Sequence, residues 1–238
     1  MSDSQSHAQR YAIYFAPDRG SPWWGCWSAW LGRCAISGQA LAQPAIAGLS
    51  QDAFFSLTAA PRRYGLHATL KAPMRLAHGA SRQQLVDALQ ALCTTHSAFA
   101  MPPVHVTQLD DFLALTPSVP LPQLNRVVDA CVTELDQFRA PMEPAELAKR
   151  RPDELTARER EHLLRWGYPY VLDTFRFHIS LTGSLAGIEA RTIQALRQAA
   201  QQHLDVLAGE PLMFDAVSVF EEPAPGTDFV LAARISLA

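Results

Sequence analysis

The chain has 238 residues, of which 48% are hydrophobic and 18% are charged, and this composition excludes a disordered chain. Lys and Arg number 20 and Asp and Glu number 23, so the formal net charge of −3 argues against a protein that holds long nucleic acid or an anionic membrane by bulk charge. The length allows either one large domain or two smaller lobes.

The cysteines and the apolar runs indicate the cellular compartment in which we expect the protein. The four cysteines have no zinc-ligand spacing and are too sparse for a disulfide scaffold, so we expect free thiols. No apolar run approaches the ~20 residues that span a bilayer. The polar leader at residues 1–10 lacks the apolar centre of a signal peptide. We therefore expect a cytoplasmic protein with no membrane partner.

The first elements of the chain are a strand and an aromatic segment. The strand covers Arg10–Pro17 and ends at the turn Asp18-Arg19-Gly20. Residues 21–32 then contain four of the five tryptophans. Two interpretations stay open for this segment, namely a helix or loop that covers the core and a platform on which a base or sugar stacks.

Strand, helix, strand and strand then occur in this order twice, which predicts two duplicated lobes, at about 10–140 and 167–238. The first copy has a strand at 65–73, a helix at 81–96 with Ser81 as its N-cap, and strands at 104–109 and 112–116. The second copy has a strand at 175–182, a helix at 188–207, and strands at 212–221 and 229–237. The order predicts an α+β fold.

A charged segment separates the two copies. It follows a predicted helix at 122–139, and twelve of the 23 residues from Glu143 to Arg165 are charged. We predict a helical insertion at about 141–166. The insertion is either a solvated pair of helices with mixed-sign surface charge or a lid over a cleft between the lobes.

One short pattern opens both copies of the repeat. The first reads Leu66-His67-Ala68-Thr69-Leu70, and the second reads Phe177-His178-Ile179-Ser180-Leu181. Because the side chains of a strand alternate between its faces, each His and the hydroxyl two residues later share a face. The same alternation adds Lys71 to the polar face of the first strand and Arg176 to that of the second.

Two histidines and two hydroxyls suit the cleavage of a phosphodiester. One neutral imidazole removes a proton from the attacking oxygen, and the other, as imidazolium, protonates the leaving oxygen. The hydroxyls donate hydrogen bonds to the non-bridging phosphate oxygens, which gain charge in the transition state. Nearby cations would add positive charge, and an aromatic ring would stack on a base. The substrate-binding candidates are Lys71, Arg176, Arg62 and Tyr168.

The paired motifs resemble those of the 2H phosphoesterase superfamily, which includes ligase-T-like RNA cyclic phosphodiesterases and 2′,5′-phosphodiesterases. The resemblance extends over most of the chain, and residues 60–73 and 165–183 resemble a bacterial branch associated with phosphonate-utilisation operons. It implies antiparallel sheets flanked by helices around a central cleft. It also implies a catalytic pair of histidines, His67 and His178, and two phosphate-contacting hydroxyls, on Thr69 and Ser180. The implied activity is a metal-independent phosphodiesterase that acts on a small cyclic phosphate or on a 2′,5′- or 2′,3′-type diester of a nucleotide or phosphorylated sugar.

Other interpretations of the same residues stay open. A third match to the motif, His105-Val106-Thr107, is interpreted as structural or as a residue that supports the site indirectly, because its flank is polar. A metal site would need a further ligand beside the two histidines, such as Asp110 or Asp111. A module that binds a nucleotide or phosphorylated sugar without turnover would have a similar sequence. We expect a monomer with no cofactor or metal, whose partner is a small phosphorylated substrate.

Overall fold

A computed structural model describes residues 9–238, and the first eight residues of the polar leader lie outside the described residues. Within this range the chain forms nine strands and eight α-helices. The strands are β1 (Arg10–Phe15), β2 (Ala68–Met74), β3 (Phe99–Ala100), β4 (Val104–Leu109), β5 (Phe112–Pro117), β6 (Ile179–Ser180), β7 (Met213–Phe214), β8 (Ala216–Glu222) and β9 (Val230–Ser236). The helices are α1 (Pro22–Leu31), α2 (Gln51–Leu57), α3 (Ala59–Tyr64), α4 (Arg82–Cys93), α5 (Pro122–Glu134), α6 (Pro144–Lys149), α7 (Ala157–Trp166) and α8 (Ala190–Asp205).

The predicted α+β class with antiparallel sheets and flanking helices is confirmed. One sheet has the strand order β2-β1-β8-β9, a second has the order β4-β5-β6, and β3 pairs with β7 in a short ladder. All of these strand pairs are antiparallel. Helix α5 packs against β2, α4 packs against β8 and β9, and α8 packs against β4.

Each of the two larger sheets combines strands from both copies of the repeat. The first sheet joins β2, from the first copy, to β8 and β9 at the end of the chain. The second sheet joins β6, from the second copy, to the hairpin of β4 and β5. The lobe bounds at 10–140 and 167–238 stay a prediction. In the structure, each of the two larger sheets contains strands from both of these ranges.

The strands that carry the two motifs lie at sheet edges. Strand β2 is an edge of the first sheet, β6 is an edge of the second, and the two strands contact each other. The strand predicted at 175–182 is shorter in the structure, where only Ile179–Ser180 pair, with Leu115 and Ala114. His178 therefore precedes the paired part of its strand.

The tryptophan segment forms α1, and its interpretation as core is confirmed. Ser21 caps the helix by accepting a hydrogen bond from the Trp24 backbone N–H. All four tryptophans of the segment are buried. The Trp30 indole N–H donates to the Leu181 carbonyl at 2.9 Å, so this helix also holds the last residue of the second motif.

The charged segment contains two helices and is held to the chain directly after β2. It contains α6, a short 3₁₀ turn at Pro152–Glu154, and α7. Arg75, just after β2, forms an ion pair with Glu146 of α6 at 3.0 Å. Within residues 9–238, every helix is too short or too polar to span a bilayer.

Candidate active site

A cleft of about 300 Å³ lies where β2 and β6 approach each other. Its wall contains the histidine and the hydroxyl of both motifs, namely His67, Thr69, His178 and Ser180. The two motifs are 111 residues apart in the sequence, and the contact between two sheet edges brings them into one site.

Each imidazole is held by a contact between its Nδ1 atom and the backbone carbonyl oxygen two residues earlier. Nδ1 of His67 lies 2.9 Å from the Gly65 carbonyl oxygen, and Nδ1 of His178 lies 2.8 Å from the Arg176 carbonyl oxygen. A carbonyl oxygen only accepts hydrogen bonds, so Nδ1 must be the protonated nitrogen in each neutral ring. The Nε2 lone pair of each ring is then available to the cleft. Each histidine is thereby fixed in the tautomer that a general base at Nε2 requires.

Burial favours the neutral form of both rings. Burial, with a smaller contribution from the nearby His178, lowers the pKa of His67 to about 4, against the opposing effect of the Gly65 carbonyl. Burial also lowers the pKa of His178, against the opposing effect of the Arg176 carbonyl. Both imidazoles are therefore neutral at pH 7, and an anion bound between them would favour the protonation of one of them.

The two motif hydroxyls occupy equivalent places on the cleft wall. Thr69 lies opposite Tyr14 of β1, and Ser180 lies opposite Ala114 of β5. Both side chains are half-buried. The buried hydroxyl of Thr182, which also lines the cleft, instead accepts a hydrogen bond from the Leu113 N–H at 3.0 Å. The hydroxyls of Thr69 and Ser180 are therefore available to a phosphate, whereas that of Thr182 is engaged by the backbone.

Lys71 lies outside the cleft, and its predicted position on the face of Thr69 is wrong. Strand β1 advances by one residue from Tyr14 to Ile13 while β2 advances by two, from Thr69 to Lys71. This β-bulge adds one residue and reverses the alternation of the side chains after it. Lys71 is therefore buried on the other face of β2, where its Nζ donates to the Val132 carbonyl at 2.8 Å and pairs with Asp136 at 2.9 Å.

Of the other three substrate-binding candidates, only Tyr168 lines the cleft. Arg62 stacks over the Phe55 ring at 3.4 Å and donates to the Phe55 carbonyl at 2.6 Å, so it stabilises the junction of α2 and α3. Arg176 is exposed and is absent from the cleft wall, because its segment is not a regular strand and alternation does not hold there. Arg176 contributes its backbone carbonyl to the site, as the partner of His178.

Two arginines that the sequence pattern did not single out do line the cleft. Arg10 opens β1, and its guanidinium pairs with the buried carboxylate of Glu222, which also pairs with Arg63. Arg150 belongs to the charged insertion, and its guanidinium lies 5.3 Å from the centre of the Tyr168 ring. The prediction of the insertion as a possible lid was the only signal that pointed toward Arg150.

Two tyrosines complete the wall beside His67. The Tyr14 ring stacks on the imidazole with 4.0 Å between ring centroids, and the Tyr64 ring lies 5.7 Å from it. Burial raises the pKa of Tyr14 well above its ordinary value, so this phenol stays neutral. The stacked ring excludes water from one face of His67 and fixes its orientation.

The third histidine motif lies away from the cleft. His105 is exposed on β4, and its Nε2 lies 3.4 Å from the Thr116 hydroxyl. Across residues 9–238, no group of three or more His, Cys, Asp and Glu side chains is arranged to hold a metal ion.

Similarity to known proteins was found at the level of sequence family and of curated relatives. A family model described as "Protein of unknown function (DUF1045)" matches residues 69–230. The chain is 42% identical over 233 residues to a protein of Janthinobacterium sp. (strain Marseille) named "Ribose 1,5-bisphosphate phosphokinase PhnN", with 98% of the chain and 51% of that protein covered. A protein of Laribacter hongkongensis (strain HLHK9) with the same name is 36% identical over 228 residues, with 96% and 52% covered. The chain thus spans about half the length of these curated relatives.

The likeness to solved structures is weaker. One described as "Crystal structure of phosphoesterase" aligns over 97% of this chain and 99% of its own, with a TM-score of 0.43 and 11% sequence identity. At this score the likeness carries no conclusion about the fold or the activity.

Proposed function

The chain belongs to the family described as "Protein of unknown function (DUF1045)", and for this member we propose a metal-independent phosphodiesterase activity on a small cyclic phosphate or a 2′,5′-type diester. The observation that carries the proposal is the pair of imidazoles on one cleft, each with Nδ1 bound to a backbone carbonyl and Nε2 available. Two such groups are what general acid–base cleavage of a P–O bond requires.

The proposed reaction is a single displacement at phosphorus. Nε2 of one histidine takes a proton from a water molecule, and the water oxygen forms a bond to phosphorus. The bond from phosphorus to the leaving oxygen breaks, and Nε2–H of the other histidine, as imidazolium, donates its proton to that oxygen. The imidazoles exchange protonation states, and proton transfer through solvent restores them.

The remaining residues of the cleft stabilise charge. The hydroxyls of Thr69 and Ser180 donate hydrogen bonds to the non-bridging oxygens. The guanidinium groups of Arg10 and Arg150 balance the negative charge of the bound diester, and the ring of Tyr168 offers an apolar surface to a sugar or base.

The named relatives inform the choice of substrates to test. Their kinase name belongs to proteins twice as long as this chain, and this sequence has no G-x-x-x-x-G-K-[ST] loop for nucleotide phosphates. What their name shares with the proposal is a phosphorylated sugar. A ribose cyclic phosphate therefore belongs beside the nucleoside 2′,3′-cyclic phosphates and a 2′,5′-linked dinucleotide in a substrate panel.

The test is turnover of this panel by the wild type and by His67→Ala and His178→Ala. We expect metal-independent hydrolysis of at least one compound, unaffected by EDTA, and a loss of about 10²- to 10⁴-fold in each variant. The matched control is His105→Ala, which removes the histidine of the third motif, outside the cleft. Binding without turnover of any compound would instead favour the non-catalytic binding module, and inactivation by EDTA would favour a metal enzyme.

A further inference from the structure

A second cavity, of about 640 Å³, opens beside the histidine cleft. The two share five wall residues: Arg10, Tyr64, Ala72, Pro73 and Arg150. The two cavities are therefore adjacent, with these five residues at their common border, and a ligand that is long enough to pass this border would contact both walls. The charged insertion forms much of the far wall, through Met142, Glu146, Lys149 and Trp166.

The wall of the second cavity is strongly cationic, although the whole chain is acidic. Among the described residues, six cations line it against two carboxylates, Glu146 and Glu222. The cations are Arg10, Arg63, Arg75, Arg139, Lys149 and Arg150. Like charges gathered in a concave site focus the local potential and attract an anion.

The ion pairs in the described part of the chain leave part of this charge uncompensated. Glu222 is shared by Arg10 and Arg63, and Asp136 is shared by Arg139 and Lys71. Two carboxylates thus pair with four cations, of which Lys71 lies outside the cavity wall, whereas Arg75 pairs with both Glu143 and Glu146. Lys149 and Arg150 pair with no carboxylate in residues 9–238, so their charge is available to a ligand.

We infer that the second cavity is an anion subsite, and that the substrate is a phosphodiester with a second phosphate at its far end. This inference rests on the proposed function of the histidine cleft, where the diester is cleaved. A terminal phosphate carries up to two negative charges and several acceptor oxygens, which suits a wall with four guanidinium groups besides those two cations. Arg150, which lines both spaces, would lie between the two phosphates.

The test measures binding apart from turnover. Butyl phosphate and a series of linear bisphosphates, from propane-1,3-diol to hexane-1,6-diol bisphosphate, are titrated calorimetrically into the full chain. These probes have no base or sugar, so the result is independent of substrate identity. We expect the best bisphosphate to bind the wild type about tenfold more tightly than butyl phosphate does.

Substitutions of single residues test whether the wall of the second cavity causes the tighter binding of the bisphosphate. Lys149→Gln should reduce it and Lys149→Glu should abolish it, because Lys149 is exposed and lines only the second cavity. The matched control is Arg151→Gln, which removes a neighbouring exposed cation that pairs with Glu154 and lines neither cavity. It should keep the full advantage. Thermal unfolding of each variant confirms that it is folded.

The outcomes separate this inference from the proposed function. Equal binding of butyl phosphate and every bisphosphate by the wild type, or an advantage that survives Lys149→Glu, overturns the anion subsite. Failure of the cyclic-phosphate panel with the bisphosphate advantage intact overturns the phosphodiesterase alone and leaves an anion subsite that needs another chemistry beside it.

Discussion

The two imidazoles differ in their surroundings, although the Nδ1 atom of each contacts the backbone carbonyl oxygen two residues earlier. His67 stacks on the buried Tyr14 ring, and burial lowers its pKa to about 4. His178 lies at a tilt to the Phe112 ring, 5.6 Å away, and burial lowers its pKa too. Because burial keeps His67 neutral, we propose His67 as the general base of the proposed reaction and His178 as its general acid.

This assignment predicts a dependence on the leaving group. A p-nitrophenolate leaves without protonation, whereas a sugar alkoxide needs a proton from the acid. His178→Ala should therefore lose about 10²- to 10⁴-fold in kcat/KM with a sugar leaving group and far less with a p-nitrophenyl ester. His67→Ala should lose activity with both. Steady-state kinetics on the two substrates measures the difference, and the same leaving-group response in both variants would contradict the assignment.

The motif hydroxyls make a second prediction at this scale. Thr69→Val keeps the shape of the side chain and removes the hydrogen-bond donor, so kcat should fall by about 10²-fold. The kcat of the Ser180→Ala variant should fall by a similar factor. Thr69→Ser keeps the donor and should restore most of the activity. The comparison of Thr69→Val with Thr69→Ser by steady-state kinetics is the check, and equal activity of the two would show that the hydroxyl does not contact the phosphate.

At the scale of elements, the β-bulge in β2 decides which side chains reach the site. Alternation predicts His67, Thr69 and Lys71 on one face, and it holds only as far as Thr69. Beyond the bulge, Ala72 lines the cleft and Lys71 joins β2 to the end of α5. The bulge thus places the methyl group of Ala72, which lines both cavities, where alternation predicts the longer side chain of Lys71.

The position of Lys71 predicts a structural variant. Lys71→Met removes a buried cation from Asp136 and leaves Arg139 as its partner, so the free energy of unfolding should fall by about 2 kcal/mol, less than for a fully unpaired carboxylate. Because the side chain lies outside the cleft, kcat/KM of the folded variant should stay within about twofold of the wild type. Urea unfolding and kinetics measure the two effects, and a large loss of kcat/KM in a stable variant would contradict this placement.

Local pattern sufficed for part of the site and not for the rest. The histidines and hydroxyls were predictable because one short motif occurs twice, and Ser81 was predictable as an N-cap because its contact with Gln84 is local. Arg10 and Arg150 were not, since their positions depend on β1 pairing with β2 and on the insertion folding back. The bulge was not predictable either, because it is a register shift between strands more than 50 residues apart.

For the whole molecule, the distribution of charge over the surface decides which anions are attracted, more than the net charge does. The net charge is −3, and yet six of the 20 Lys and Arg residues line the two adjacent cavities. Local potential therefore differs in sign from the overall charge. A small anion is attracted into the cleft, whereas a long polyanion meets an acidic surface elsewhere. Such a distribution favours small phosphorylated substrates.

The buried histidines also tie the stability of the molecule to pH. The pKa of His67 falls from 6.5 in the unfolded chain to about 4 in the folded one, so the unfolded state binds more protons between these values. The free energy of unfolding should therefore decrease as pH falls from 6.5 toward 4. His67 alone contributes a loss on the order of 2 kcal/mol between pH 7 and pH 5, and His178 adds to it in the same direction.

Removal of the titrating ring tests this linkage. In His67→Gln, the free energy of unfolding should change less between pH 7 and pH 5, by on the order of 2 kcal/mol relative to the wild type. Urea unfolding at several pH values in this window gives the two curves. Carboxylates with lowered pKa values, such as Asp136 and Glu222, lose their stabilising effect only as pH falls below about 4.5. They therefore do not contribute to the change between pH 7 and pH 5. Parallel curves for wild type and variant would mean that His67 is protonated as readily in the folded chain as in the unfolded one, and the neutral base proposed for the cleft would then lose its physical basis.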